Sequence, residues 1–364
     1  MTDQVSEHAN DKILLNMVSV SPHLHDTSSV GNVMWNVVIA LMPALVVAVY
    51  FFGVNALLLT IYGILAAVIT EAVILYLRKK PIVINDGSAV ITGILVSFNV
   101  HSGVPWWIPV AGSVFAIAIG KHAFGGLGHN IVNPALIGRA FLTASWPEHL
   151  FGNWVRTSHG SINGMASGGF GTLPEQITSA TPLGVASVLR DPIFIETHGD
   201  KATDIFSRLT DYPTLINQFN GNVGGCLGEV SAVALLLGAL YLLLKNIIEW
   251  RIPFFYIATV FVLTYIFGGL NGIFSASFNV PIFHILAGGL LLGAFFMATD
   301  LVTSPITKKG RVIFAVGCGV ITVTIRLAGG YPEGVCYSIL IMNLFVPLID
   351  KYTFPKPFGA RKQV

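Results

Sequence analysis

The sequence predicts an all-α polytopic membrane protein, with about ten transmembrane helices in two inverted five-helix repeats. Three observations predict it: charge is scarce, long apolar segments recur along the chain, and the basic residues fall on one side of those segments. Hydrophobic residues make up 54% of the 364 positions and charged residues only 10%. A soluble domain carries about 25% charged residues. There is too little charge here to coat a buried core of this size, so lipid is the expected solvent.

Residues 1–32 are polar, mixed in charge and without the early apolar stretch of a secretory signal, so they read as a cytoplasmic N-terminal segment. Apolar runs at 33–54, 55–77, 82–100, 106–121 and 131–147 make a first membrane repeat, residues 33–147. A polar loop follows at 148–225. Runs at 226–245, 252–270, 280–299, 311–327 and 333–349 make the second repeat, residues 226–349, and 350–364 form a cytoplasmic tail. Two runs are interrupted. The third opens with Asn85, Asp86, Gly87 and Ser88, which leaves a short helix after it. The eighth ends in the polar stretch from Met297 to Pro305. Such sequence at membrane depth is tolerated only against protein or a wet cavity.

With the N-terminus inside, alternation of ten spans places 14 of the 20 basic residues on the cytoplasmic side. Four others, Arg156, Arg190, Lys201 and Arg208, lie in the loop 148–225, which this topology places outside the cell. Arg139 and Arg326 fall within spans, Arg326 near a helix end from which a long side chain can snorkel to the surface. Both termini are then cytoplasmic, in a prokaryotic cell membrane. At an offset of 204, Gly125-Gly126 matches Gly329-Gly330, and Arg139-Ala-Phe141 matches Asn343-Leu-Phe345. A five-span unit repeated once must insert its second copy upside down. Inverted repeats with broken helices place their sites near the repeat interface.

The three cysteines form no CxxC pair and read as small core residues. The ten histidines are scattered, without the facing pairs of a haem bundle. Absence of a GxGxxG after a strand leaves nicotinamide binding to other chains, and nothing points to nucleic acid. A loop as long as 148–225 is functional rather than a plain connection. Within it stands Thr178-Ser179-Ala180-Thr181-Pro182, which read by itself is a turn. Arg139, mid-span, is a functional residue by default or a structural partner of a carbonyl or an acid. Asp86 and Ser88 suit a cap on the short third helix.

Four segments together carry a resemblance: Thr178–Pro182; Gly128-His-Asn-Ile-Val-Asn133-Pro134-Ala135 with Arg139 and Phe141; Asp86-Gly-Ser-Ala-Val-Ile-Thr-Gly93; and Ala298-Thr-Asp300-Leu-Val-Thr-Ser-Pro305. In this order, with ten spans, the chain resembles the family formed by the D subunit of the Rnf electron-transport complex and the B subunit of the sodium-pumping NADH:quinone reductase. The resemblance covers roughly residues 12–352. It implies a subunit of a ferredoxin:NAD oxidoreductase coupled to sodium or proton movement, not active alone. The cofactor so implied is FMN, joined through its phosphate to the hydroxyl of Thr181, with Thr178, Ser179, Ala180 and Pro182 as the surrounding motif. The family pattern has glycine where Ser179 stands. A second, noncovalent flavin, riboflavin, is implied near Asp86, Asn133, Arg139 and Asp300, where Gly93 and Gly293 allow backbones to approach closely. Implied partners are the other Rnf subunits, including the flavin-bearing G subunit and the membrane A and E subunits, a flavin transferase, and lipid. The competing readings are an inverted-repeat solute transporter or channel without a redox cofactor, and a membrane anchor for a peripheral enzyme.

Overall fold

The computed structural model describes residues 29–81, 84–151, 181–190, 202–221, 223–229, 231–269, 277–329, 331 and 333–355. Thr178, Ser179 and Ala180 lie outside them. Every described regular element is helical. Each of the ten apolar runs contains a helix: Val30–Phe52, Val54–Leu77, Ser88–Phe98, Trp107–Phe115 continued by a π turn Ala116–His122, Pro134–Ser145, Ala232–Leu244, Arg251–Phe267, the pair Asn279–Leu286 and Leu290–Met297, Lys308–Ala328 and Val335–Thr353. Four are long and apolar enough to cross a membrane by themselves, or five with the bent pair counted as one; Ser88–Phe98, Ala232–Leu244 and Arg251–Phe267 are shorter apolar helices.

The first two helices show why the chain needs lipid. On Val30–Phe52, Trp35, Ile39, Met42, Val46 and Tyr50 form one exposed stripe, while Leu41, Ala44, Leu45 and Ala48 are buried on the opposite face. On Val54–Leu77 the outward stripe is Leu57, Ile61, Leu65, Ile69 and Val73. Apolar surface exposed on this scale needs a hydrocarbon solvent. Only Gly53 separates the two helices. Its φ of +76° is open to glycine at little cost, and its N–H closes the first helix on Val49 O.

Lipid-facing helices gain little from apolar burial against one another, so they associate through close packing of small residues. A Cβ on Gly93 would sit 2.6 Å from Ile64 Cα, and one on Gly238 would sit 2.0 Å from Ala40 O. Corresponding helices of the two halves meet: the first packs on Ala232–Leu244, and Pro134–Ser145 packs on Val335–Thr353.

The third run is the short helix the sequence implies, starting at Ser88. The eighth is broken earlier than expected, bending by 67° between Leu286 and Leu290 before its polar exit. Ala287, Gly288 and Gly289 make the break, with Gly288 at φ +74°. Two basic residues differ from expectation. Arg326 does not snorkel; it is buried and donates to the carbonyls of His284 and, at 3.2 Å, Ala287. Those carbonyls are left without helical partners by the break, so the guanidinium completes the broken helix. Lys121, one of the 14 basic residues assigned to the cytoplasmic side, is buried in the π turn, 2.5 Å from Glu71 Oε1 and 2.6 Å from Ser88 Oγ.

Candidate functional sites at the two ends of the half-helices

Ser88–Phe98 and Leu290–Met297 run in opposite directions through the middle of the protein. Ser88 and Asp300 line one cavity, while Phe98 and Leu292 meet at Gly228 near the other end. A cleft opens at each end.

The first cavity has apolar walls that include Phe295 and Phe296, with Ser88, Thr92, Lys121, Asn130, Asn133, Thr299 and Asp300 as its polar groups; it spans about 810 Å³ including space open to solvent. Asn133 caps Pro134–Ser145 by accepting from Ala135 N at 2.9 Å and Leu136 N at 3.4 Å, and its Nδ2 donates to Met297 O at 3.1 Å. One side chain therefore starts a helix in the first half and ends one in the second. Asp300 accepts from Thr303 Oγ1 at 3.1 Å and Val302 N at 3.4 Å, which shapes the turn after the broken helix. Asp86, just before the N-cap Gly87, accepts from Ser88 N at 3.2 Å and Ser88 Oγ at 2.9 Å at the start of that helix, and it does not line the cavity.

Arg139 is not in this cavity. Its Nη1 donates to Asn99 Oδ1 at 2.5 Å, its Nη2 binds the Glu333 carboxylate, and Glu229 Oε1 lies 3.8 Å away. Asn133 sits at the start of the helix and Arg139 six residues on, a rise of about 9 Å, so the two serve opposite ends. Cys226 joins the two acids, with the three ligand atoms within 4.8 Å of one another. Sequence reasoning missed Glu229 and Glu333. The available signal was an acid in each of two glycine-bounded approaches to apolar runs, a placement that in so uncharged a chain demands a partner.

The Arg139 cluster floors the second cleft. This cleft, about 390 Å³ including space open to solvent, lies between Thr181, Gln218, Glu229, Glu333, Gly225 and Gly288. Thr181 is half-buried at the N-cap of Pro182–Leu189, where its Oγ1 accepts from Gly184 N at 3.1 Å. Pro182 occupies the first helical position, where a missing N–H costs nothing. Pro182 also holds Thr181 extended, at φ −65° and ψ 151°. A hydroxyl so placed stands at the positive end of a helix dipole, where an esterified phosphate is stabilised. Leu183 packs with Leu215 and Phe283, which fixes this helix against Tyr212–Asn220 and the broken helix.

Comparison with known proteins gives these positions a context. The model of the NQR2, RnfD, RnfE family matches residues 17–359. The D subunit of the Na(+)-translocating ferredoxin:NAD(+) oxidoreductase complex of Acetobacterium woodii is 47% identical over 347 residues, covering 95% of this chain and 96% of that one. Its proton-translocating counterpart from Clostridium ljungdahlii is 46% identical over 345 residues, with the same coverage. The D subunit of an ion-translocating oxidoreductase complex from Stutzerimonas stutzeri is 39% identical, covering 91% and 93% of the two chains.

Proposed function

The chain belongs to the NQR2, RnfD, RnfE family, and from that membership and the two clefts we propose that it is the membrane D subunit of an ion-translocating ferredoxin:NAD oxidoreductase, carrying FMN covalently on Thr181. The observation that carries the flavin assignment is the Thr181 hydroxyl, which caps a helix N-terminus in a cleft of mixed polar and apolar lining. FMN supplies one- and two-electron redox chemistry that side chains lack. The protein's part is to hold the phosphate at the helix N-terminus and to shape the cleft through the Leu183–Leu215 contact. A tethered cofactor stays in place on a face where no cytoplasmic pool can replace it.

The reading extends to the first cavity, where Asn133 and Asp300 present hydrogen-bonding groups to a noncovalent riboflavin. The 11-residue helix Ser88–Phe98 between the clefts rises about 16 Å, roughly half of a 30 Å hydrocarbon core. Two flavins at its ends would divide the crossing into shorter steps. Among the described residues no cluster of cysteines or paired haem histidines could serve instead. The remaining carriers belong to partner subunits, among them the flavin-bearing G subunit and the membrane A and E subunits. Electrons pass between ferredoxin and NAD with sodium or proton movement, and a flavin transferase loads Thr181. In this topology the loop 148–225 faces away from the cytoplasm and both termini face it.

The test of the assignment is flavin fluorescence on a denaturing gel, after coexpression with a flavin transferase. Wild type gives a fluorescent band at the mass of the chain, and Thr181→Ala gives a dark one. A dark wild-type band would overturn the flavin assignment and favour a subunit role without this cofactor. For the first cavity, acid denaturation of the purified protein releases about one equivalent of riboflavin, and Asp300→Ala lowers that yield. An intact protein that releases none excludes the second flavin.

A further inference from the structure

Gln218 is the anomaly of the second cleft. It lies on Tyr212–Asn220, is only 4% exposed, and neither Oε1 nor Nε2 has a hydrogen-bond partner. A buried carboxamide with both ends unpaired destabilises a fold. Groups of this kind persist where a ligand completes them. Gln218 shares the cleft with Thr181, and the Leu183–Leu215 contact fixes the two helices that carry them. Glu229, whose Oε1 lies 3.8 Å from Arg139 Nη1 and accepts no hydrogen bond, lines the same space.

These atoms specify the ligand. A carboxamide presents an acceptor and a donor side by side, and its complement is an adjacent N–H and C=O on one planar edge. An ionised carboxylate only accepts and supplies half of that pattern. Glu229 and Glu333 beside it repel a second anion, so the far part of the cleft takes a neutral, hydrogen-bonding ring, while the phosphate stays at the helix N-terminus.

We propose that Gln218 is a positioning residue that pairs with the imide edge of the isoalloxazine ring carried on Thr181. This rests on the assignment of FMN to Thr181 and adds where the ring lies and which residue orients it. Oε1 accepts from the ring N–H, and Nε2 donates to the neighbouring carbonyl. Glu229 Oε1 accepts from a hydroxyl of the ribityl chain. No electron or proton changes hands in this pairing; it fixes orientation, and it tunes the ring through hydrogen bonds to its carbonyl.

The experiment uses the full-length chain coexpressed with a flavin transferase. Gln218→Met is close in size and removes both polar atoms. Covalent loading is read from the gel, ring environment from the flavin absorption spectrum, and stability from the unfolding midpoint in detergent. In loaded protein, Gln218→Met shifts the flavin absorption bands and lowers the midpoint by several degrees. In the flavin-free Thr181→Ala background the same change leaves the midpoint unchanged or raises it, because it removes an unpaired amide. A purely structural glutamine would lower both midpoints alike; that result, or an unshifted spectrum with loading intact, overturns the inference and leaves the FMN assignment standing. Absence of flavin from wild-type Thr181 overturns both. Gln218→Glu, of equal size but lacking the donor, gives the same comparison if the methionine variant does not fold or load.

Discussion

Arg139 holds two buried carboxylates, so its removal should be costly in a way that can be apportioned. Its side chain is 11% exposed, that of Glu229 6% and that of Glu333 14%. Arg139→Met leaves both acids without their guanidinium and Asn99 Oδ1 without its donor. Breaking a buried ion pair by deleting one partner costs about 3–5 kcal/mol, because the remaining charge is stranded. At about 2–4 °C per kcal/mol for a chain of this size or somewhat smaller, the unfolding midpoint falls by roughly 10 °C. Adding Glu333→Gln removes one stranded charge, so the double variant should recover at least about 1 kcal/mol relative to the sum of the singles. The assay is thermal unfolding of the full chain in detergent, followed by tryptophan fluorescence. If Arg139→Met melts within a degree or two of wild type, or if the singles simply add, the cluster does not work as described.

Other expectations follow from packing, titration and topology. Gly93→Ala forces a methyl to within 2.6 Å of Ile64 Cα and 2.8 Å of Gly63 O, so helix backbones must separate; a loss of about 1–3 kcal/mol should appear as a lower midpoint in the same unfolding assay. His101, in the turn after Ser88–Phe98, accepts from Gly103 N at Nδ1 and lies 2.8 Å from His149 O at Nε2, and burial holds its pKa below the usual 6.5. The folded chain therefore binds this proton less readily than the unfolded one. The contribution is full above about pH 6.5 and is lost as pH falls below it; stability measured at about pH 7.5 and pH 5 should drop less in His101→Gln than in wild type. A cysteine placed at Asn163, with Cys226, Cys318 and Cys336 replaced, should react with an impermeant thiol reagent in intact spheroplasts, and labelling only after lysis would invert the topology.

Much of the frame was legible because the bilayer imposes it. Long apolar runs had to be helices, and Ser29, Asn133, Ser231 and Thr307 each begin one with the side-chain cap their residue type favours. Asn85 to Ser88 marked the short third helix because polar, glycine-containing sequence cannot continue a lipid-facing one. Thr181 was legible as a hydroxyl before proline, which is also a helix start. The ion pairs were not. Glu333 follows Arg139 by 194 residues, Lys121 follows Glu71 by 50, and no periodicity joins such positions. The family resemblance put Asn133 and Arg139 in one site, whereas the rise of their helix sends them to different clefts. Gln218 carried no pattern at all; only its burial and its missing partners distinguish it.

The central claim is that Thr181 is the flavin acceptor, and mass spectrometry of the peptide containing Thr181 tests it most directly. After coexpression with a flavin transferase, that peptide should carry the mass of one FMN less one water, with fragmentation placing the addition on the Thr181 side chain. Thr181→Ser should retain the modification and Thr181→Ala should lose it. An unmodified wild-type peptide, or a covalent flavin that survives in Thr181→Ala, would contradict the account.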